Sequence, residues 1–203
     1  MTGEQLYVSH APADLDLVQD LFSTVRNFPV GVHVALEEVE SGRSRKRLEG
    51  RIANSNVVVA VLTEQSADSQ WVDQEIGYAL AKGIPVLPLY TDADLRGGFL
   101  TDVEGVAIDR DDLSRTIFEL LCRLRRELAP LGALSVPNWY IQFACTSARC
   151  THPVVLELEE AQPKLWKRHE HGKLLSTSCA DCGTTYAFDP ATIGYVRRKN
   201  AVQ

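Results

Sequence analysis

Two groups of residues in this chain have the types and spacing to do chemistry. Cys145-x4-Cys150 and Cys179-x2-Cys182 are thiol pairs separated by 28 residues. Pairs at such spacings, each on a turn, can converge on a tetrahedral Zn²⁺, with Cys145, Cys150, Cys179 and Cys182 as ligands. Gly183 follows Cys182 directly and suits the tight turn that aims amides at the sulfurs, and His152 is an alternative ligand in place of one thiol. The second group centres on Glu75. Trp71, Glu75, Tyr78 and Lys82 run along one helical edge, beside an apolar stripe of Val72, Ile76, Ala79 and Leu80. A carboxylate between two large aromatic residues stands at the border of a core-packed face. Taken alone, a helical glutamate is a solvated surface residue, so the elements around it decide its meaning.

Those elements read as alternating strands and helices. Leu6–His10 is a short β-prone opening, followed by a helix from Pro12 with Leu15, Val18, Leu21, Phe22 and Val25 on one face. Val30–Leu36 is a second strand, Glu37–Gly42 a polar loop, and Ser44–Ala53 a helix. Val57–Leu62 is a continuous β-branched run, the mark of a strand covered on both faces. The Gln70–Lys82 helix comes next, then a strand over Ile84–Tyr90. Pro85 and Pro88 make that strand start late or lie near an edge. Val106–Ile108 is a short fifth strand, and Leu113, Ile117, Leu120, Leu121, Leu124 and Leu128 mark a last amphipathic helix carrying Cys122, which reads as a buried thiol. The expectation is an α/β fold: a doubly wound, five-stranded parallel sheet of flavodoxin-like type, followed by a small β-rich zinc ribbon. The domains are 1–128, a Pro/Gly-containing linker 129–138, and a ribbon module 139–203 with strands at Val154–Glu159, Lys173–Ser176 and Thr184–Phe188. Ligands of such sheets sit at the carboxyl ends of the strands, which puts Ser9 and His10 at the same crevice as the loops before Glu75.

Charge and composition narrow the function classes. The formal charge of −6 divides unevenly: residues 1–130 carry 13 Lys+Arg against 21 Asp+Glu, and residues 131–203 carry 8 against 6. An acidic first part argues against nucleic-acid binding there. In the second part Lys164, Lys167, Arg168, His169 and Arg197–Lys199, beside Trp166, amount to modest positive charge, too little to assign a nucleic-acid partner. The longest apolar run has six residues, Val57–Leu62, so no membrane span is expected, and Met1–Glu4 does not open a secretory signal. Five cysteines without an export signal read as reduced thiols or metal ligands, and the expected location is cytoplasmic.

Several occupants of this architecture are excluded. His10-Ala11-Pro12 after the first strand is neither a dinucleotide fingerprint nor a P-loop. A phospho-acceptor receiver needs an aspartate where Thr63 stands and a lysine where Tyr90-Thr91 stand. Instead, Leu6–His10 with Asp14, the loop Glu37–Gly42, the run Ile52–Thr63, Trp71-Val72-Asp73-Gln74-Glu75 and Pro85–Pro88 resemble, in order, the motifs of the Toll/interleukin-receptor (TIR) domain family. The resemblance covers roughly residues 5 to 128.

That resemblance implies a function. Many TIR domains, especially prokaryotic ones, cleave NAD⁺ between nicotinamide and ribose, and the helix glutamate, here Glu75, is the catalytic residue. By the same resemblance Ser9, His10, Arg43 and Trp71 are binding residues, with Arg43 or Arg45 supplying charge for the pyrophosphate and Trp71 either a ligand contact or core packing. NAD⁺ is the substrate, self-association through the TIR domain is the activating partnership, and antiviral signalling is the family setting. A non-catalytic interaction module is the alternative, and a nucleoside N-glycosidase or base-exchange enzyme a third reading. The zinc ribbon is a structural staple or a head for a protein partner.

Overall fold

A computed structural model describes residues 4–23, 25, 30–34, 45–128, 139–147, 150–158 and 160–200. Arg43, the loop 37–42 and the linker 129–138 lie outside the described residues. The chain forms two compact units, the first ending at Leu128 and the second built mainly from the residues beyond it.

In the first unit, strands β1 (Glu4–Ser9), β2 (Val30–Val34), β3 (Val57–Leu62) and β4 (Val86–Tyr90) pair in parallel in the order β2-β1-β3-β4. A two-residue strand, β5 (Val106–Ala107), adds to the far edge of β4. Helices α1 (Leu15–Phe22), α2 (Arg45–Ala53) and α3 (Gln70–Ala81) lie between successive strands from β1 to β4, and α4 (Leu113–Glu127) follows β5. α1 packs with α4 and α2 with α3, so the sheet is covered on both faces. All six residues of β3 are buried, as its unbroken apolar run requires.

β4 accommodates its prolines by direction. Pro85 stays outside the strand and lends its carbonyl to Val58, while Pro88 pairs with Ala60 inside it. The Thr91 amide donates to Leu62 across β3, so by alternation the missing N–H of Pro88 faces β5. Pairing with β5 begins only at Leu89, so no ladder bond is lost.

The strand order reverses between β1 and β3, and the crevice for a ligand in such a sheet lies outside the carboxyl ends at that reversal. Register fixes which side chains face it. Tyr7 pairs with Val58 and Ser9 with Ala60, so Tyr7 and Ser9 share the face on which α2 and α3 pack. Val72, Ile76 and Ala79 of α3 are buried in the core cluster on that face, together with Leu48 and Ile52 of α2. α3 ends at Gly83, whose φ of +68° is the left-handed conformation that favours glycine. The Gly83 amide donates to Leu80 and the Ile84 amide to Ala79, which satisfies carbonyls the helix end leaves open.

The second unit pairs β6 (Trp139–Ala144) with β7 (Pro153–Leu158), antiparallel. A separate antiparallel sheet has the order β10-β9-β8, from β8 (Leu175–Ser178), β9 (Thr185–Phe188) and β10 (Tyr195–Lys199). β7 alternates, with Val154, Leu156 and Leu158 buried. Phe143 meets Tyr186 and Phe188 edge-on, with ring centroids 4.9 and 5.7 Å apart. A helix, α5 (Gln162–Glu170), stands between the cysteine pairs where the sequence suggests only strands and a basic patch. His169 on it meets the Asp189 carboxylate at 2.7 Å, tying α5 to the turn after β9. No helix among the described residues is long and apolar enough to cross a membrane.

Candidate functional site

Glu75 lies in the second turn of α3, on the face that meets β1, and it is only 9% exposed. The Tyr7 hydroxyl donates to its Oε1 at 2.6 Å and the Ser9 hydroxyl to its Oε2 at 2.5 Å. Both donors are fully buried. Both carboxylate oxygens are therefore engaged by hydroxyls two residues apart on one strand face, as the period of a β-strand allows. Burial pushes the Glu75 carboxyl above its ordinary value, and the Ser9 and Tyr7 hydroxyls pull back toward the ionised form. Both oxygens thus accept hydrogen bonds in a site whose burial penalises charge. Such a group is suited to stabilising a cation that forms beside it.

A hollow of about 60 Å³ opens beside Glu75, lined by Leu48, Glu49 and Ile52 of α2 and Trp71, Gln74, Glu75 and Tyr78 of α3. Trp71 is 58% exposed. Core packing for Trp71 is thereby overturned: α2 covers the Val72 and Ile76 stripe and leaves the neighbouring edge at the rim of the hollow.

His10 stands on the opposite parity from Ser9. Its Nδ1–H donates to the Ala11 carbonyl at 2.8 Å, while Nε2 is buried with no partner among the described residues. Burial lowers its pKa and so favours the neutral ring, against the backbone bond and the nearby Asp14. Asp14 is itself buried and accepts from the Thr63 hydroxyl at 2.7 Å, linking the ends of β1 and β3. Ser9 is thus hydrogen-bonded to Glu75, whereas the His10 ring bonds to the Ala11 carbonyl. Tyr7, Glu49 and Gln74 are singled out by no motif of the sequence, and the one signal for Tyr7 is its i, i−2 relation to Ser9.

A TIR domain family model matches residues 6–121, more than half of the chain. The chain belongs to the TIR domain family. Among curated proteins none matches it. Among solved structures, a 2-desoxiribosyltransferase from Leishmania mexicana is similar over 50% of this chain and 79% of its own, at 16% identity and a TM-score of 0.37. That likeness is too low to bear on function.

The cysteines lie beyond the TIR match. The ligand atoms of Cys145, Cys150, Cys179 and Cys182 all fall within 4.8 Å of one another. Cys145 Sγ is 3.6 Å from Cys182 Sγ, and Cys150 Sγ is 3.7 Å from Cys179 Sγ. These are far too long for disulfides. Four bonds of about 2.3 Å at tetrahedral angles would separate sulfurs by about 3.8 Å, so the donor set fits a zinc ion. Each pair rides on a tight turn. The Cys150 amide donates to Ser147 and the Gly183 amide to Cys179, with Gly183 at a φ of +69°. The hydroxyl and amide of Thr184 bring the Cys182 thiol down to about 6. The Cys150 thiol has a backbone bond that favours its thiolate, but burial, Asp181 and neighbouring sulfurs push it up. Four sulfurs this close cannot all ionise without a cation among them. His152 is outside the cluster: its side chain is exposed, and its carbonyl accepts from the Cys145 amide at 2.9 Å.

Proposed function

We propose that the TIR domain of this chain cleaves NAD⁺ at the bond between nicotinamide and ribose, with Glu75 as the catalytic residue. The observation that carries this reading is a buried carboxylate, held at both oxygens by Tyr7 and Ser9, beside a hollow rimmed by Trp71, in a chain of the TIR family. The leaving group is already a pyridinium. When the C1′–N bond breaks, its electron pair stays on nitrogen, and nicotinamide departs neutral without a general acid. One carboxylate therefore suffices, unlike the pair that ordinary glycosidases use. Positive charge develops on the ribose ring, and ionised Glu75 stabilises it through a fixed, preorganised site. Tyr7 and Ser9 act as positioning residues, and Ser9, His10, Arg43 and Trp71 are the proposed binding set. Water, or a hydroxyl or adenine nitrogen of the substrate itself, then attacks C1′, giving a linear or a cyclic product.

The domain limits proposed are 1–128 for the TIR domain, 129–138 for a linker and 139–203 for a zinc-ribbon module. In that module Cys145, Cys150, Cys179 and Cys182 would hold a structural Zn²⁺, which supplies folding energy and no reaction step. Self-association of the TIR domain is the proposed route to activity, in a cytoplasmic protein with reduced thiols.

The test is nicotinamide release from NAD⁺, followed by chromatography at rising protein concentration, for wild type and Glu75→Gln. Release by wild type alone is the expected result. Equal release by both proteins sinks the role of Glu75. No release at any concentration favours a pure interaction module, and release of base from nucleosides lacking a pyrophosphate favours an N-glycosidase.

A further inference from the structure

We infer that the hydroxyl of Tyr186 is a positioning group for the metal, donating to the Cys145 sulfur and fixing its orientation. This rests on the zinc reading above and goes beyond it, because four cysteines at metal-ligand spacing do not by themselves require a tyrosine. Tyr186 is 1% exposed, with its ring edge-on to Phe143. Its oxygen lies 3.0 Å from Cys145 Sγ and 2.8 Å from the Thr146 amide nitrogen. An amide nitrogen can only donate, so the phenol oxygen is the acceptor in that contact. The one phenol proton is left for the sulfur, the Thr146 hydroxyl being farther away at 3.4 Å. A sulfur bound to a cation is a thiolate, which accepts such a bond well, and a buried tyrosine hydroxyl needs a partner.

The link is long-range. Thr184 also places a hydroxyl by a ligand, 3.2 Å from Cys182 Sγ, but it belongs to the same turn. Tyr186 instead joins the first cysteine pair to β9, 41 residues away. Arg198 of β10 holds the same turn, donating to the Thr146 carbonyl and, at 3.1 Å, to its hydroxyl. Metal binding and the order of this sheet are thereby coupled at Thr146. Groups that orient metal ligands in this way are worth roughly 10- to 100-fold in affinity.

The experiment uses the full chain. Zinc affinity is measured by competition with a chromophoric chelator for wild type, Tyr186→Phe and a control, Tyr195→Phe, on exposed β10. Tyr186→Phe is expected to bind zinc about tenfold more weakly, and the control like wild type. With Co²⁺ in place of zinc, the sulfur-to-metal charge-transfer band of Tyr186→Phe moves to lower energy, since its thiolate has lost a hydrogen-bond donor. A mere packing defect would not move that band. Equal affinity and an unmoved band overturn the inference while leaving the zinc reading standing. A wild type that takes up no zinc overturns both. If Tyr186→Phe does not fold, NMR of wild type loaded with a spin-active cadmium isotope decides. A slowly exchanging Tyr186 hydroxyl proton coupled to cadmium supports the inference, and its absence overturns it.

Discussion

The Glu75 site and the cysteine cluster face opposite electrostatic problems. At Glu75 the fold buries one negative charge and meets it with two hydroxyls, 66 and 68 residues away in sequence. At the cluster, four potential negative charges crowd within 4.8 Å of one another. Hydroxyls can hold one carboxylate. They cannot hold four thiolates, which need an ion. The first site therefore tolerates loss of its charge, and the second depends on gaining one.

The largest effect expected from this contrast is metal removal. A strong chelator, or Cys179→Ser, should unfold the second unit, because the free energy of structural zinc binding, about 10–16 kcal/mol in small zinc domains, is its folding free energy. The TIR domain should stay folded. Limited proteolysis with mass spectrometry checks this: cleavage confined to the residues beyond Leu128 is expected. Cleavage throughout the chain, or nowhere, would break the contrast.

Glu75→Gln comes next. Nicotinamide release should fall by at least about 100-fold, the scale seen when one preorganised charge-stabilising group is removed. The melting temperature should hold or rise, since glutamine keeps an acceptor for one hydroxyl and removes a desolvated charge. A large fall in melting temperature would make Glu75 a structural anchor.

That stability argument has a pH signature. The folded-state pKa of Glu75 is raised by burial. Its contribution to stability is therefore present in full below the ordinary carboxylate range and is lost as pH rises through the raised value. Denaturant midpoints measured across that interval should fall more for wild type than for Glu75→Gln. Activity runs the other way, rising with pH as Glu75 ionises. Parallel stability curves for the two proteins would refute the shift.

The two sites also differ in how far they can be read from sequence. The cysteines announce themselves through local spacing, and β3 through its own six apolar residues. Glu75 becomes readable once α3 is placed after β3 in a TIR-like order. Tyr7 does not, because its role depends on the register of β1 against β3, a property of two strands whose paired residues are 51 positions apart. Trp71 was ambiguous for a similar reason: whether a helix edge is core or rim depends on how far α2 extends over it. Helix α5 was hidden because, of its described side chains, only Leu165 is buried, which leaves no apolar stripe to detect. Arg43 and the loop 37–42 lie outside the described residues, so their part in the site rests on resemblance alone.

The smallest predicted effect separates the two hydroxyls from the carboxylate they hold. Tyr7→Phe keeps a fully buried ring in the core and deletes only the donor to Glu75 Oε1. A hydrogen bond to a charged group is worth about 1.5–3 kcal/mol, and that bond favours the ionised form. Its loss should raise the Glu75 pKa further, so the acid limb of the activity profile moves to higher pH. On that limb activity should fall about tenfold, well short of the Glu75→Gln loss, and recover as the solution is made more alkaline. Ser9→Ala should behave alike through Oε2. A deficit that does not recover with pH would mean that the hydroxyls aim the carboxylate rather than tune its charge. The contrast with the cysteine cluster would then rest on geometry in both sites.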